Sequence, residues 1–148
     1  MYLREKVLPF LKAIAAPSWV PVLIPVLVFF THARLYRHWV VDDAGITFSY
    51  ARCLALGHGL VPQPGVPAVE GYSNFLWVIA YTPFFLLHRF DVVGTPKLLS
   101  WLLVIGSFIT ARRLFRRCGD ETGAVTLVVL TLLALNTSFV AWCVSGLE

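Results

Sequence analysis

Four apolar stretches, at about residues 13–31, 72–88, 97–111 and 123–144, punctuate this chain, and each approaches the roughly 20 residues a helix needs to cross a bilayer's hydrocarbon core. Nothing else in the sequence constrains the fold as strongly, because a backbone in lipid must satisfy its own amides and carbonyls. Composition agrees: 58% of residues are hydrophobic, only 14% are charged and the mean hydropathy is +0.76. The expected class is an all-α integral membrane protein with about four transmembrane helices and one long loop, about 32–72, between the first two.

The first stretch follows basic residues Arg4, Lys6 and Lys12 without a small-residue cleavage site, so a retained span is expected rather than a removed signal peptide. Pro17, Pro21 and Pro25 recur every four residues on one helical face, which predicts a kinked or late-starting helix. Cys53, Cys118 and Cys143 show neither disulfide nor metal-ligand spacing and read as small buried hydrophobes.

The charges give conflicting orientations. With the N-terminus cytoplasmic and four full crossings, Arg89 and Lys97 fall inside, but Arg112, Arg113, Arg116 and Arg117 fall outside, against the positive-inside rule. Either the short second stretch is not a full crossing or the third helix ends elsewhere. The arginine cluster itself reads as a solvated helix end reaching for anionic headgroups, at about 1 kcal/mol per charge.

The long loop is patterned. From Asp43 to Leu56 the apolar residues Ile46, Tyr50, Cys53, Leu54 and Leu56 follow a helical period, predicting an amphipathic interfacial helix with Ser49 and Arg52 elsewhere on the wheel. Gly57-His58-Gly59 should end it, with His58 a turn residue. Asp42 and Asp43 fall at its start, where an N-cap and the helix dipole both favour a carboxylate. Chemistry offers another reading: paired carboxylates at a membrane surface can deprotonate an acceptor hydroxyl or share a divalent cation, and mutual repulsion raises one pKa.

The run Asp42-Asp43-Ala44-Gly45-Ile46-Thr47-Phe48-Ser49-Tyr50-Ala51-Arg52, continuing through Gly57-His58-Gly59 to Glu70-Gly71-Tyr72-Ser73-Asn74-Phe75-Leu76-Trp77, resembles the first exoplasmic loop of GT-C glycosyltransferases. It is most similar to arabinofuranosyltransferases of the AftB type, and 136–148 resembles the family's fourth-helix region. Gly45, Ser49 and Cys53 depart from the family pattern, which usually has an aromatic residue, an arginine and an asparagine there. The resemblance implies the N-terminal part of a GT-C fold in the bacterial inner membrane. It implies inverting transfer of a sugar, arabinofuranose among the candidates, from a polyprenyl-phosphate donor to a glycan or other acceptor hydroxyl at the exoplasmic face. One of Asp42 and Asp43 would be the general base, and the other would orient the acceptor or bind a divalent cation. Glu70, Tyr72, Asn74 and Trp77 are candidates for the sugar pocket, Arg52 for a phosphate contact, and His58 stands beside them. Each has a plainer reading: a loop acid for Glu70, interfacial anchors for Tyr72 and Trp77, a helix N-cap for Asn74 and a snorkelling cation for Arg52. Family members are longer, so an N-terminal fragment, inactive by itself, is expected. Partners are the lipid-linked donor, the acceptor and membrane lipids, with no nucleic acid.

The rival class is a small non-catalytic membrane assembly protein, in which helix faces do the work. A coupled transporter is disfavoured because no ionisable residue falls in the middle of any stretch.

Overall fold

The computed structural model describes residues 19–146, which form six α-helices, one 3-10 turn and no strand. The expectations for 13–18, Pro17 included, lie outside the described residues. The helices are α1 (Val20–Ala33), α2 (Ala44–Ala55), α3 (Phe75–Leu86), α4 (Gly94–Arg117), α5 (Ala124–Leu135) and α6 (Thr137–Cys143), with the 3-10 turn at Arg34–Tyr36. The chain divides into two compact units, 19–35 with 103–140, and 36–102 with 141–146.

In the first unit α1 packs on α5. Pro21 sits at the start of α1, where a missing amide goes unnoticed, and Pro25 lies inside it; both are buried. Phe29 is the centre of the packing, with edge-on contacts to Phe108 and Phe139 at ring-centroid distances of 6.4 and 6.1 Å. His32 Nδ1 lies 3.1 Å from the Ala134 carbonyl oxygen. The turn into α5 depends on Gly123, whose φ of +79° is the left-handed region and whose missing Cβ would stand 2.3 Å from Pro21 Cγ.

In the second unit α2 packs on α3 around Ala44, Phe48, Tyr50, Ala51, Val78 and Tyr81. Small residues on α2 let the aromatic rings of Phe48, Tyr81 and Phe90 come within 5.0–5.7 Å of one another. The non-helical segment Val144-Ser145-Gly146 runs through this unit, and three successive carbonyls each find a donor from a different element. The Val144 oxygen accepts from Lys97 Nζ at 3.0 Å, the Ser145 oxygen from the Val41 amide at 3.0 Å and the Gly146 oxygen from the Tyr81 hydroxyl at 2.8 Å. Lys97, 5% exposed, also donates to the Trp39 carbonyl at 2.7 Å, so two of its ammonium's three donors meet main-chain oxygens.

Compared with the apolar stretches, the helices differ in three ways. The third runs longer than 97–111, because Arg112 to Arg117 are good helix formers that a hydropathy ruler rejects. The second is only 12 residues, about 18 Å of rise against a core of about 30 Å. The fourth is two helices bent by 74° at Asn136, whose carbonyl side chain accepts the Phe139 amide at 2.8 Å and so starts α6 afresh. Among the described residues α4 alone is long and apolar enough to cross a membrane, and the α5–α6 pair would be a second if taken together.

Candidate functional site

The helix anticipated over 43–56 is α2, and Gly57 and Gly59, both at positive φ, close it as expected. Tyr50 and Cys53 are buried as anticipated, but the rest of the buried face is different. Ala44, Thr47, Phe48, Tyr50, Ala51 and Cys53 are buried, whereas Ile46 and Leu56 are exposed. Small residues face the α3 aromatic rings, and a count of large apolar side chains overlooks them.

Asp43 occupies the N-cap position and Asp42 precedes it. Their main-chain oxygens accept the amides of Ile46 and Gly45 at 3.1 and 3.0 Å, opening the helix. Their side chains do something else. Asp43 has helical dihedrals, φ −62° and ψ −22°, instead of the extended ones of a capping residue, and makes no side-chain cap bond. Both side chains are exposed and, among the described residues, neither carboxylate has a hydrogen-bond or ion-pair partner. The expected capping role is therefore absent. The backbone beneath them is fixed on both sides: Val41 is tied to Ser145, and Ala44 is fully buried against Gly146, where a Cβ on the glycine would touch it at 3.3 Å.

Glu70 is held differently. Tyr50, 1% exposed, donates its hydroxyl proton to the Val69 carbonyl at 2.7 Å and accepts the Gly71 amide at 3.1 Å. One phenol thus clasps the main chain on either side of Glu70 and leaves its carboxylate in solvent. Gly71 is required here because a Cβ would lie 2.7 Å from that hydroxyl. Tyr72 packs edge-on against Tyr50 at 5.0 Å, and Trp77 stacks on Tyr81 at 5.2 Å; both are half-buried parts of the aromatic packing. Asn74 holds the N-cap position of α3 without a side-chain cap bond, its main-chain oxygen accepting the Trp77 amide at 3.0 Å.

Arg52 and His58 belong to the far end of α2, exposed, with Arg52 nine residues and about 14 Å of helix rise beyond Asp43. Arg52 borders two shallow hollows, one of about 350 Å³ with Phe85 and His88 and one of about 290 Å³ with Pro62 and Gln63. The structure thus joins Glu70 and Tyr72 through Tyr50 and keeps Arg52 and His58 apart from the acid pair.

The pair admits a divalent cation only as an open site. A hard cation takes six or more oxygens, and among the described residues no group of three His, Cys, Asp or Glu is gathered to supply them. Two adjacent carboxylates fit the Mg²⁺ pattern, in which water and substrate phosphate complete the shell.

Sequence reasoning missed the Tyr50 clasp, the Lys97 tie and a buried ion pair in the first unit. There Asp120 accepts from the Thr126 hydroxyl and amide at 2.6 and 2.8 Å and from the Val125 amide at 3.3 Å, and Arg112 Nη1 stands 3.6 Å away. Burial opposes ionisation, but these donors and the guanidinium together hold the carboxyl below its usual range. Arg112 also donates to the Asp120 and Glu121 carbonyls at 2.7 and 3.2 Å. Asp120 and Thr122 just before an apolar run are the helix-start signature that could have exposed it.

Comparison with protein-family models, with curated proteins and with solved structures finds no match.

Proposed function

We propose that the chain is a membrane glycosyltransferase, or the N-terminal part of one, in which Asp42 and Asp43 serve sugar transfer from a polyprenyl-phosphate donor at the exoplasmic face of the bacterial inner membrane. One observation carries the reading: two adjacent carboxylates, unused by capping or ion pairing, stand on a backbone fixed at Val41 and Ala44. A charge that stabilises the fold is normally bonded, whereas a general base must be free to accept a proton.

In the proposed reaction one carboxylate accepts the proton of an acceptor hydroxyl. The hydroxyl oxygen forms a bond to the anomeric carbon from the face opposite the donor phosphate. The bond from that carbon to the phosphate oxygen breaks, and the polyprenyl phosphate leaves with the electron pair, so the anomeric centre inverts. The second carboxylate orients the acceptor; were a divalent cation bound, Asp42 and Asp43 would be the residues to hold it, and it would neutralise charge on the leaving phosphate. Glu70, kept in solvent by the Tyr50 clasp, is the nearest further acid along the chain to bond a sugar hydroxyl. Tyr72, Asn74 and Trp77 shape the segment that follows it.

A crossing by α4 is compatible with the exoplasmic assignment of the pair. α4 rises about 36 Å over 24 residues, enough to carry the chain across. Its first turn is tied to the loop before the acids through Lys97 and Trp39, and its last turns carry Arg112 to Arg117. A crossing by α4 with its last turns inward would put Arg112, Arg113, Arg116 and Arg117 on the cytoplasmic side, as the positive-inside rule favours, and its first turn on the exoplasmic side.

Membranes containing the native full-length protein, or its Asp42→Asn or Asp43→Asn variant, are compared for transfer of labelled sugar from a polyprenyl-phosphate donor. At least one variant is expected to lose 10²- to 10⁴-fold, on the order of a general-base contribution. Wild-type transfer by both would remove the acids from the mechanism. Indifference to both together with sensitivity to substitutions on helix faces would make the protein an assembly subunit.

A further inference from the structure

Within the first unit a groove of about 450 Å³ runs between α1 and the second half of α4, inside the range of roughly 300–1,000 Å³ typical of ligand clefts. Its walls are two helical stripes. Trp19, Leu23 and Val26 line one side, and Ile105 and Ile109 line the other. The second stripe then continues, at the same helical spacing, into Arg112, Arg113 and Arg116.

The three arginines are not equivalent. The Arg112 guanidinium is committed to Asp120 and to the carbonyls of the loop that follows α4. Arg113 and Arg116 are exposed and, among the described residues, have no ion pair. The groove is therefore apolar along its length and carries two unsatisfied cations at one end. Its occupant has to be apolar along one part and anionic at the other. Free phosphate would answer the arginines and leave the apolar walls bare. The chain's own residues 1–18 bring Arg4, Lys6 and Lys12 against Glu5, the wrong sign, and a second copy of the chain carries a net charge of +4.

We propose that the groove holds one anionic phospholipid, its phosphate between Arg113 and Arg116 and an acyl chain along Leu23, Val26, Ile105 and Ile109. The planar guanidinium forks are suited to phosphate oxygens, and the anionic leaflet facing the cytoplasm supplies such lipids. The site is distinct from the acid pair and does not depend on what the acids do.

The test uses the full chain purified in a neutral detergent and titrated with phosphatidylglycerol or with phosphatidylcholine of the same acyl chains, bound lipid being counted by native mass spectrometry. One phosphatidylglycerol is expected to stay bound, with at least tenfold preference over phosphatidylcholine. Arg113→Gln with Arg116→Gln should weaken phosphatidylglycerol about thirty-fold, taking the usual contribution of a cation near an anionic surface for each. Ile109→Trp, which fills the groove, should weaken both lipids. Arg117→Gln, whose side chain does not line the groove, should leave binding unchanged. Thermal unfolding of each variant separates lost lipid from lost fold, and if the double glutamine variant unfolds, Arg113→Lys with Arg116→Lys should keep the preference at reduced strength. Equal retention of the two lipids, an Arg117→Gln loss as large as that of the pair, or displacement of the lipid by inorganic phosphate would overturn the assignment.

Discussion

The loop after α4 and the segment before α2 each place carboxylates at the start of a helix, and they use them in opposite ways. Asp120 is surrounded by donors: two amides, one hydroxyl and the Arg112 guanidinium. The side chains of Asp42 and Asp43 have none among the described residues, and the first amides of the helix that follows go to the main-chain oxygens of Val41, Asp42 and Asp43 instead. The same residue type in the same local context is a fastener in one place and left bare in the other. A carboxylate with every lone pair engaged holds structure and is poorly placed to take a proton; one with none engaged adds little stability and stays available for chemistry.

The largest test of this contrast is to neutralise the bare pair. Asp42→Asn and Asp43→Asn are expected to lower transfer by at least 10²-fold in one case, while unfolding free energy stays within about 0.5 kcal/mol of wild type, as for surface changes that break no bond. A stability loss as large as that of a buried charge would erase the difference between the two regions. The mirror experiment removes the fastener's partner. Arg112→Met leaves Asp120 in a largely buried site without its guanidinium and two carbonyls without a donor, so denaturant unfolding should register a loss of about 3 kcal/mol. Transfer by the surviving folded fraction should be unchanged.

Between these extremes stands Tyr50→Phe, which keeps the ring and deletes the hydroxyl that binds Val69 and Gly71. A cost of about 1–2 kcal/mol is expected, together with faster amide exchange at Gly71. Unchanged exchange would mean that the Glu70 segment is held by the Tyr72 packing alone. The smallest effect is one of pH. The folded-state pKa of Asp120 is lowered from 3.8, so its contribution is complete above that unfolded value and disappears as pH falls through the folded one. Acid titration followed by circular dichroism should show a loss of stability starting below about pH 4, and Asp120→Asn should flatten that part of the curve.

The all-helical class, the position of α2 and the acid pair were legible because each leaves a local trace: long apolar runs, a helical period and adjacent carboxylates where charge is scarce. Tyr50 and Cys53 were read correctly as buried, but the rest of the α2 face was missed because Ala44 and Ala51 carry little weight in an apolar count, yet they are small enough to let Tyr81 of α3 pack close. The extent of α4 was under-read since arginines lower hydropathy while favouring helix. The break at Asn136 was hidden by the apolar residues on both sides. The Tyr50 clasp joins positions 19 and 21 residues apart, and a bond at that separation imprints no period on the sequence. Where the second unit closes was equally invisible, because its ties are to main-chain oxygens, which every residue has.

Those ties, from Val41, Tyr81 and Lys97 to the carbonyls of Val144, Ser145 and Gly146, have a consequence in time. The ribosome releases Asp42 and Asp43 about a hundred residues before the oxygens that anchor their neighbourhood, while domains are built at about 5–20 residues per second. For several seconds of synthesis the acids therefore exist without their final setting. Their geometry is a late product of translation, completed only when residue 146 has emerged and can reach back to Val41.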